Sequence, residues 1–137
     1  MNIDIRNLTK EEFEQLMNEA PETETRFIRQ QDNPYEFFNS GQAVQALIID
    51  GRPIYIAMIR EGRFGRFIFW TIVNSDVKEK ITLCKSARRE LNKWVIEFKT
   101  IYATMEKVSK ENMKWVEWLG FRVISEDNQY VTYKLGE

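Results

Sequence analysis

The stretch from residue 66 to 105 constrains the fold more than any other part of this chain, because it predicts two buried strands joined by a long helix. Residues 66–73 read RFIFWTIV, and such an aromatic and β-branched run is typical of a strand buried on both faces. Apolar residues then recur with helical spacing from Val77 to Phe98, and residues 100–105 predict a second strand. This order predicts a right-handed crossover with parallel strands. The joint after the first strand is where such units usually bind ligands.

The N-terminal part of the chain predicts a short strand followed by a helix. Ile3 and Ile5 alternate with polar residues, which indicates a short strand. Thr9 and Glu12 have the spacing of a capping box, in which each side chain binds the other residue's backbone amide. We therefore expect a helix after Thr9, and Pro21 should end or kink it.

Residues 25–31 predict one or two further helical turns, and an antiparallel meander follows them. Strands are predicted at 43–50 and 54–60, and Asp50-Gly51 between them is a strong hairpin signal. A turn at residues 61–65 then leads into the strand at 66–73.

After the crossover, Ser109 predicts the start of a second helix, and a final hairpin has strands at 121–125 and 129–135. The complete order predicts a single α+β domain over residues 1–137, with a mixed sheet and helices on both of its faces.

Several aromatic residues have two interpretations. Tyr35, Phe37 and Phe38 are predicted to pack under the sheet, and the alternative is a lid or a wall of a substrate site. Trp115 and Trp118 are three residues apart on a helix, so both are predicted to pack against the sheet. Either tryptophan, if exposed, would be an anchor for a protein partner.

The composition excludes several kinds of chemistry. The net charge is −1, and the chain has no histidine and one cysteine. Mechanisms that use a Ser-His or Cys-His pair, and metal sites built from histidines or cysteine clusters, are therefore excluded, and we expect no metal. Cys84 lies on the apolar stripe of the long helix and is predicted to pack rather than react.

The sequence also bears on location. The start of the chain lacks the basic and apolar regions of a signal peptide, and no apolar run approaches the ~18 residues of a membrane helix. We expect a cytoplasmic protein with no membrane contact, or a protein of a particle that is assembled in the cytoplasm.

The element order, together with residues 109–123, SKENMKWVEWLGFRV, resembles the GNAT N-acetyltransferase family. In that family a helix of this length ends in Leu-Gly-Phe, which here is residues 119–121, and leads directly into a strand. The glycine gives the helix a left-handed end, and the phenylalanine fills the core behind it. The resemblance implies a site for acetyl-CoA and transfer of an acetyl group to an amine.

The chain departs from the active GNAT members at the joint that would hold the cofactor. Active members have a glycine-rich loop there, whose amides bind the pyrophosphate at the helix N-terminus. This chain has no glycine between Gly65 and Gly120, and Asp76 and Glu79 place negative charge at the joint. The side chains of Lys78 and Lys80 are expected to compensate in part for the missing glycine loop. The strand backbone at Ile72 and Val73 would contact the pantetheine arm of the cofactor.

The proton donor of the family is also missing. Many GNAT members have a tyrosine four residues before the glycine of the Leu-Gly-Phe helix, and here Val116 takes that position. Four residues are weighed as replacements, two tyrosines as acids and two glutamates as bases, each with packing or a solvated surface as the alternative: Tyr102, Tyr130, Glu106 and Glu111.

A subset of the family is more similar, namely the GNAT-like head and internal virion proteins of short-tailed bacteriophages. They resemble this chain in size, in a Ser-Asp joint like residues 75–76, and in a very basic long helix. Two functions therefore remain open: a phage virion, assembly or interaction protein with a degenerate acetyl-CoA site, and a divergent active N-acetyltransferase.

Charge is distributed unevenly along the chain and bears on partners. Residues 78–99 carry seven basic and three acidic side chains, whereas residues 11–24 carry six glutamates. This separation predicts contact with a protein partner or self-association. It does not favour nucleic acid, because no exposed aromatic residues are interleaved with the basic ones.

Overall fold

The structure is a computed structural model that describes residues 2–74, 76, 78 and 80–137, without the side chains of residues 80 and 81. The strands are β1 (Ile3–Ile5), β2 (Ala43–Ile49), β3 (Arg52–Glu61), β4 (Phe67–Val73), β5 (Thr100–Glu106), β6 (Arg122–Glu126) and β7 (Tyr130–Gly136). The helices are α1 (Lys10–Glu19), α2 (Glu22–Arg29), α3 (Pro34–Asn39), α4 (Lys80–Phe98) and α5 (Lys110–Trp118).

The strands form a seven-stranded mixed sheet in the order β1-β2-β3-β4-β5-β7-β6. β4 and β5 are parallel, with Phe67 opposite Ile101 and Ile68 opposite Tyr102, as the crossover predicted. The pairs β1–β2, β2–β3, β5–β7 and β6–β7 are antiparallel. The predicted α+β class and mixed sheet are therefore confirmed. The helix predicted from Val77 begins at Lys80 in the described chain, and Val77 itself lies outside the described residues.

The chain divides into two compact units, of which the first comprises Met1–Ile59 and Trp70–Lys78. Its core joins the apolar faces of the first helices to the strands, with Phe13, Phe38, Ile56 and Ile72 all nearly or fully buried. Tyr35 and Phe37 pack against this core with part of their surfaces exposed. The packing interpretation of these aromatics, which lie in α3, is confirmed.

The capping box of α1 is present, and it contains a third residue that its spacing did not predict. The Thr9 hydroxyl accepts a hydrogen bond from the Glu12 amide at 3.2 Å, and Glu12 Oε1 accepts one from the Thr9 amide at 2.9 Å. Arg6 donates from both terminal nitrogens to the two oxygens of Glu12, each at 2.8 Å. The Arg6 guanidinium and the Thr9 amide lower the pKa of Glu12 to about 2.

This shift predicts that the free energy of unfolding depends on pH through Glu12. The folded-state pKa is depressed from 4.5, so the stabilisation is complete above pH 4.5 and is lost as the pH falls towards 2. Because Arg6 is half exposed, solvent screening limits the effect to about 1 kcal/mol. Urea unfolding of the wild type and Glu12→Gln should show a difference that disappears in acid. An equal difference at both ends of this pH range would contradict the assignment.

The second unit comprises Arg60–Phe69 and Glu79–Glu137. The end of α5 confirms the predicted left-handed helix end: Gly120 has φ +101°, its amide donates to the Glu117 carbonyl, and the Phe121 amide donates to the Val116 carbonyl. These two bonds are those of a Schellman motif. The Phe121 ring packs against Phe69 with the centroids 5.3 Å apart, as expected for a residue that fills the core.

The prediction that both tryptophans of α5 are buried is correct for Trp115 and wrong for Trp118. Trp115 is 5% exposed, as predicted, but Trp118 is 46% exposed. Leu119, the residue directly after α5, is buried instead and is 4% exposed. A separation of three residues places two side chains about 60° apart around a helix, so one of them can lie at the edge of the buried stripe. Trp118 is thus the exposed tryptophan of the two.

Candidate functional site

The residues predicted to hold a cofactor lie at the end of β4 and shortly after it. Ile72 is fully buried, so that only its backbone could meet a ligand, and Val73 is half-buried at the last position of β4. Lys78 is exposed. Lys80 is the first residue of α4, but its side chain lies outside the described part of the chain. Their contact with a cofactor therefore stays a prediction.

Asn74, the residue directly after β4, is the centre of a polar cluster. It is 3% exposed, and its backbone amide donates to the Ile54 carbonyl at 2.8 Å. Its side-chain amide donates to Glu19 Oε1 at 2.7 Å. Its side-chain oxygen accepts from the Asp76 amide at 2.9 Å and from Arg52 at 3.3 Å. All of these bonds are made within the first unit.

Arg52 lies between two carboxylates of the same cluster. Its nearest approaches are 3.6 Å to Glu19 and 3.9 Å to Asp76. We call these four residues, Glu19, Arg52, Asn74 and Asp76, the joint cluster. It contains one positive and two negative side chains, and it uses the backbone amide of Asp76 internally. In the sequence, residues 74–76 indicate only the end of the strand and a cap for the helix that follows. The bond to Glu19, 55 residues away, has no sequence signal.

Comparison with solved structures shows that the whole chain has a known fold. An acetyltransferase of the GNAT family from Bacillus anthracis superposes with a TM-score of 0.71 at 12% identity, over 99% of this chain and 95% of that chain. This is the fold of the GNAT acetyltransferases. The GNAT domain of S. lividans PAT superposes equally well, with a TM-score of 0.71 at 13% identity, over 97% of this chain and 89% of that chain.

Another GNAT-fold neighbour was solved with a cofactor. It is an acetyltransferase from Bacillus subtilis in complex with CoA, with a TM-score of 0.68 at 13% identity, over 98% of this chain and 97% of that chain. No protein-family profile and no curated protein sequence matches the chain significantly. At these identities the comparisons establish the GNAT fold and the acetyltransferase-like architecture.

Val116 occupies the position on α5 at which many GNAT members have a tyrosine. Val116 is fully buried on α5, and a valine cannot donate a proton. Of the two candidate acids, Tyr102 is half-buried with the Arg66 guanidinium 4.5 Å from its ring centroid, and Tyr130 is 40% exposed at the start of β7. Of the candidate bases, Glu106 is half-buried and Glu111 is exposed. Glu106 and Tyr130 lie opposite each other on β5 and β7, whereas Tyr102 lies opposite Lys134 and Glu111 belongs to α5.

Tyr133 is a polar group of the second unit that the sequence did not single out. It is fully buried on β7, and its hydroxyl donates to Glu117 Oε2 at 2.9 Å. Burial and the Glu117 carboxylate raise the pKa of Tyr133 to about 12. A phenol that holds its proton this firmly is a poor general acid near neutral pH. The hydrogen bond joins β7 to α5.

The described residues also bear on cysteine reactivity, metal binding and membrane-spanning helices. Cys84 is half-buried, and burial raises the pKa of its thiol, which fits the predicted packing role. No group of three or more Cys, Asp or Glu side chains that could hold a metal ion occurs in the described chain. None of the described helices is long and apolar enough to cross a membrane.

Proposed function

We propose that this GNAT-fold protein has a degenerate acetyl-CoA site and acts through protein contacts, as a virion, assembly or interaction protein of a bacteriophage. The phage assignment is supported by the resemblance in size, in the Ser-Asp joint and in the basic long helix. The loss of acetyl transfer is supported by two positions where active members have functional groups, the joint after β4 and position 116 on α5.

The observation that carries the proposal is the hydrogen bonding of Asn74. In active members the amides after this strand bind the pyrophosphate of acetyl-CoA. Here the Asp76 amide is already bonded to the Asn74 side chain, and Asn74 is fixed in turn by Glu19 and Arg52. A pyrophosphate that binds the Asp76 amide would have to displace its bond to the buried Asn74 side chain, and a buried polar group that loses its partner costs about 1–3 kcal/mol.

Charge adds to this obstacle. The carboxylates of Glu19 and Asp76 repel an anionic ligand, and the Arg52 guanidinium is already shared between them. Lys78 is the described cation closest in sequence to Asp76 and is exposed, so its attraction is weakened by solvent and salt.

Isothermal titration with acetyl-CoA and with free CoA tests the proposal, with the Bacillus subtilis acetyltransferase as the positive control. We expect no heat of binding at millimolar ligand and no change in melting temperature. A site with a dissociation constant one hundredth of the ligand concentration would add about 2.7 kcal/mol to the free energy of unfolding, an easily measured shift. Micromolar binding would refute the degenerate site.

The second candidate is a divergent active N-acetyltransferase, and the CoA complex of a neighbour with the same fold favours it. Loss of one general acid typically lowers the rate by ~10²–10⁴-fold without abolishing it. Tyr102 or Tyr130 would then act as the acid, and Glu106 or Glu111 as the base. Binding in the titration, followed by acetyl transfer to an amine that Tyr102→Phe or Tyr130→Phe reduces, would establish this function instead.

A further inference from the structure

The first unit contains a pocket that lies outside the joint cluster and has no role in the proposed function. It has a volume of about 370 Å³ and is formed by α1, the end of α2 and the start of α3, and we call it the α1 pocket. Apolar side chains form its floor and charged ones its rim; the floor includes Phe13, Met17 and Tyr35, and the rim includes Lys10, Glu14 and Arg29. Ligand pockets usually have volumes of roughly 300–1,000 Å³, so a ligand that fits this one is small.

The floor of the α1 pocket is continuous with the core of the first unit. Phe13 is 2% exposed and Met17 is 5% exposed, and both belong to that core. Tyr35 packs edge to face on Phe13 with the ring centroids 5.6 Å apart, and its hydroxyl donates to the Leu8 carbonyl at 2.9 Å. Because the hydroxyl is already bonded, the floor offers a ligand mainly aromatic and aliphatic surface, held in place by the core behind it.

Arg29 is held against α1 at the pocket by two hydrogen bonds. Its Nε donates at 3.1 Å to the hydroxyl of Thr25, which is fully buried, and its Nη2 donates to the Met17 carbonyl at 2.8 Å. Arg29 makes no other hydrogen bond or ion pair with the residues that the structure describes. A guanidinium has five donors, so Nη1 and one proton of Nη2 are left over. These donors form the planar fork that binds a carboxylate in a two-pronged contact.

The other two charged groups of the rim are on α1 and do not pair with each other. Lys10 and Glu14 are four residues apart, but neither side chain makes a hydrogen bond or ion pair with any described residue. A lysine on the N-terminal side of a glutamate is the weaker order for such a pair. Lys10 is also the first residue of α1, where the helix dipole disfavours a cation. With Arg29, the rim carries two positive charges and one negative charge, all available to a ligand.

We propose that the α1 pocket binds a small zwitterion with a large apolar side chain, of the chemistry of a free aromatic amino acid. Its carboxylate would be bound by Arg29 and its ammonium by Glu14, while its side chain would cover the apolar floor. Met17 is three residues after Glu14, about 4.5 Å along the helix axis, and its carbonyl fixes Arg29. The two charged side chains are therefore placed to reach the adjacent carboxylate and ammonium of one amino acid. Such a site would function whether or not acetyl-CoA binds elsewhere.

Titration of the full chain with L-phenylalanine, followed through the NMR chemical shifts of the backbone amides, tests the site. We expect saturable shifts in residues 10–18 and 29–35, with a dissociation constant on the order of 1 mM or lower, because a ligand of so few atoms gains limited free energy. Two further probes each lack one charged group: hydrocinnamate lacks the ammonium, and phenethylamine lacks the carboxylate. Each should bind about tenfold or more weakly than L-phenylalanine, since each loses one charge-assisted contact.

Two variants assign the charged contacts. Glu14→Gln should weaken L-phenylalanine binding about tenfold without weakening hydrocinnamate binding, because hydrocinnamate has no ammonium for Glu14 to bind. Arg29→Lys keeps the charge but loses the fork, so it should weaken the binding of both ligands. Glu11→Gln is the matched control, because Glu11 is an exposed carboxylate of the same helix that does not line the pocket, and this variant should bind all three probes as the wild type does.

Stability controls separate lost binding from lost folding. Arg29→Lys gives up the bond to Thr25 and is expected to melt somewhat lower, whereas Glu14→Gln removes no described contact and should keep the wild-type melting temperature. The inference is overturned if tens of millimolar L-phenylalanine cause no saturable shifts in these residues. It is also overturned if phenethylamine binds as tightly as L-phenylalanine, or if Glu14→Gln and Glu11→Gln have the same effect. The CoA titration reports on the joint after β4, so the degenerate cofactor site is judged separately.

Discussion

Replacing Phe38 with alanine should lower the free energy of unfolding by about 3–5 kcal/mol, the usual cost of removing a buried phenylalanine ring. Phe38 is fully buried, and its ring centroid lies 5.7 Å from that of Phe13 and 6.0 Å from that of Phe37. The cavity would lie within the core of the first unit. Because domains are stable by only ~5–15 kcal/mol, the loss should be large in a thermal or urea unfolding curve.

The chain provides its own control for this substitution. Phe64→Ala removes the same ring from a position that is 97% exposed, and its effect on the free energy of unfolding should lie within about 0.5 kcal/mol of zero. Equal losses for Phe38→Ala and Phe64→Ala would mean that α3 does not pack as described.

Replacing Asn74 with aspartate should lower the free energy of unfolding at neutral pH by about 2–4 kcal/mol. The side-chain donor to Glu19 is lost, and a second carboxylate is placed where the present distance to Glu19 Oε1 is 2.7 Å. The position is 3% exposed, so solvent cannot separate the two charges. Urea unfolding at pH 7 gives the loss directly.

The same variant has a characteristic pH dependence. Repulsion between the new carboxylate at residue 74 and that of Glu19 raises the pKa of one of them in the folded state, so the destabilisation is present above its unfolded-state pKa and decreases in acid. The difference from wild type should therefore shrink near pH 4. Asn39→Asp is the matched control, because Asn39 donates one side-chain bond, to the Tyr35 carbonyl at 2.8 Å, and this variant should lose less stability and recover less of it in acid. A loss at residue 74 that is independent of pH would contradict the proximity of Glu19.

The sequence predicted the elements of this fold because their signals are local. The run at 66–73, the spacing of Thr9 and Glu12, the Asp50-Gly51 pair and the Leu-Gly-Phe helix end each report on a few neighbouring residues, and each element is present. Exposure was harder to predict, since it depends on which elements meet. Trp118 and the strand β6, whose five residues are all exposed, have apolar residues that a pattern alone assigns to a core.

The candidate site was predicted less completely for the same reason. Missing glycines and the valine at 116 are visible in the sequence, so the loss of cofactor groups could be inferred. The joint cluster joins residues from α1, β3 and the segment after β4, and no periodicity connects Glu19, Arg52 and Asn74. The α1 pocket was also missed, because no spacing in the sequence indicates that Arg29 reaches back to the Met17 carbonyl.

The pairing of β5 has a consequence for the order in which the chain can fold as it is synthesised. β5 takes its antiparallel neighbour from residues 130–136, with Thr100 opposite Gly136 and Glu106 opposite Tyr130. Until those residues have left the ribosome, β5 presents an open edge of backbone donors and acceptors, which is a template for pairing with other nascent chains. β6 emerges earlier than β7 but reaches the sheet through it. The second unit is therefore completed late, and truncated chains that end before β7 should aggregate.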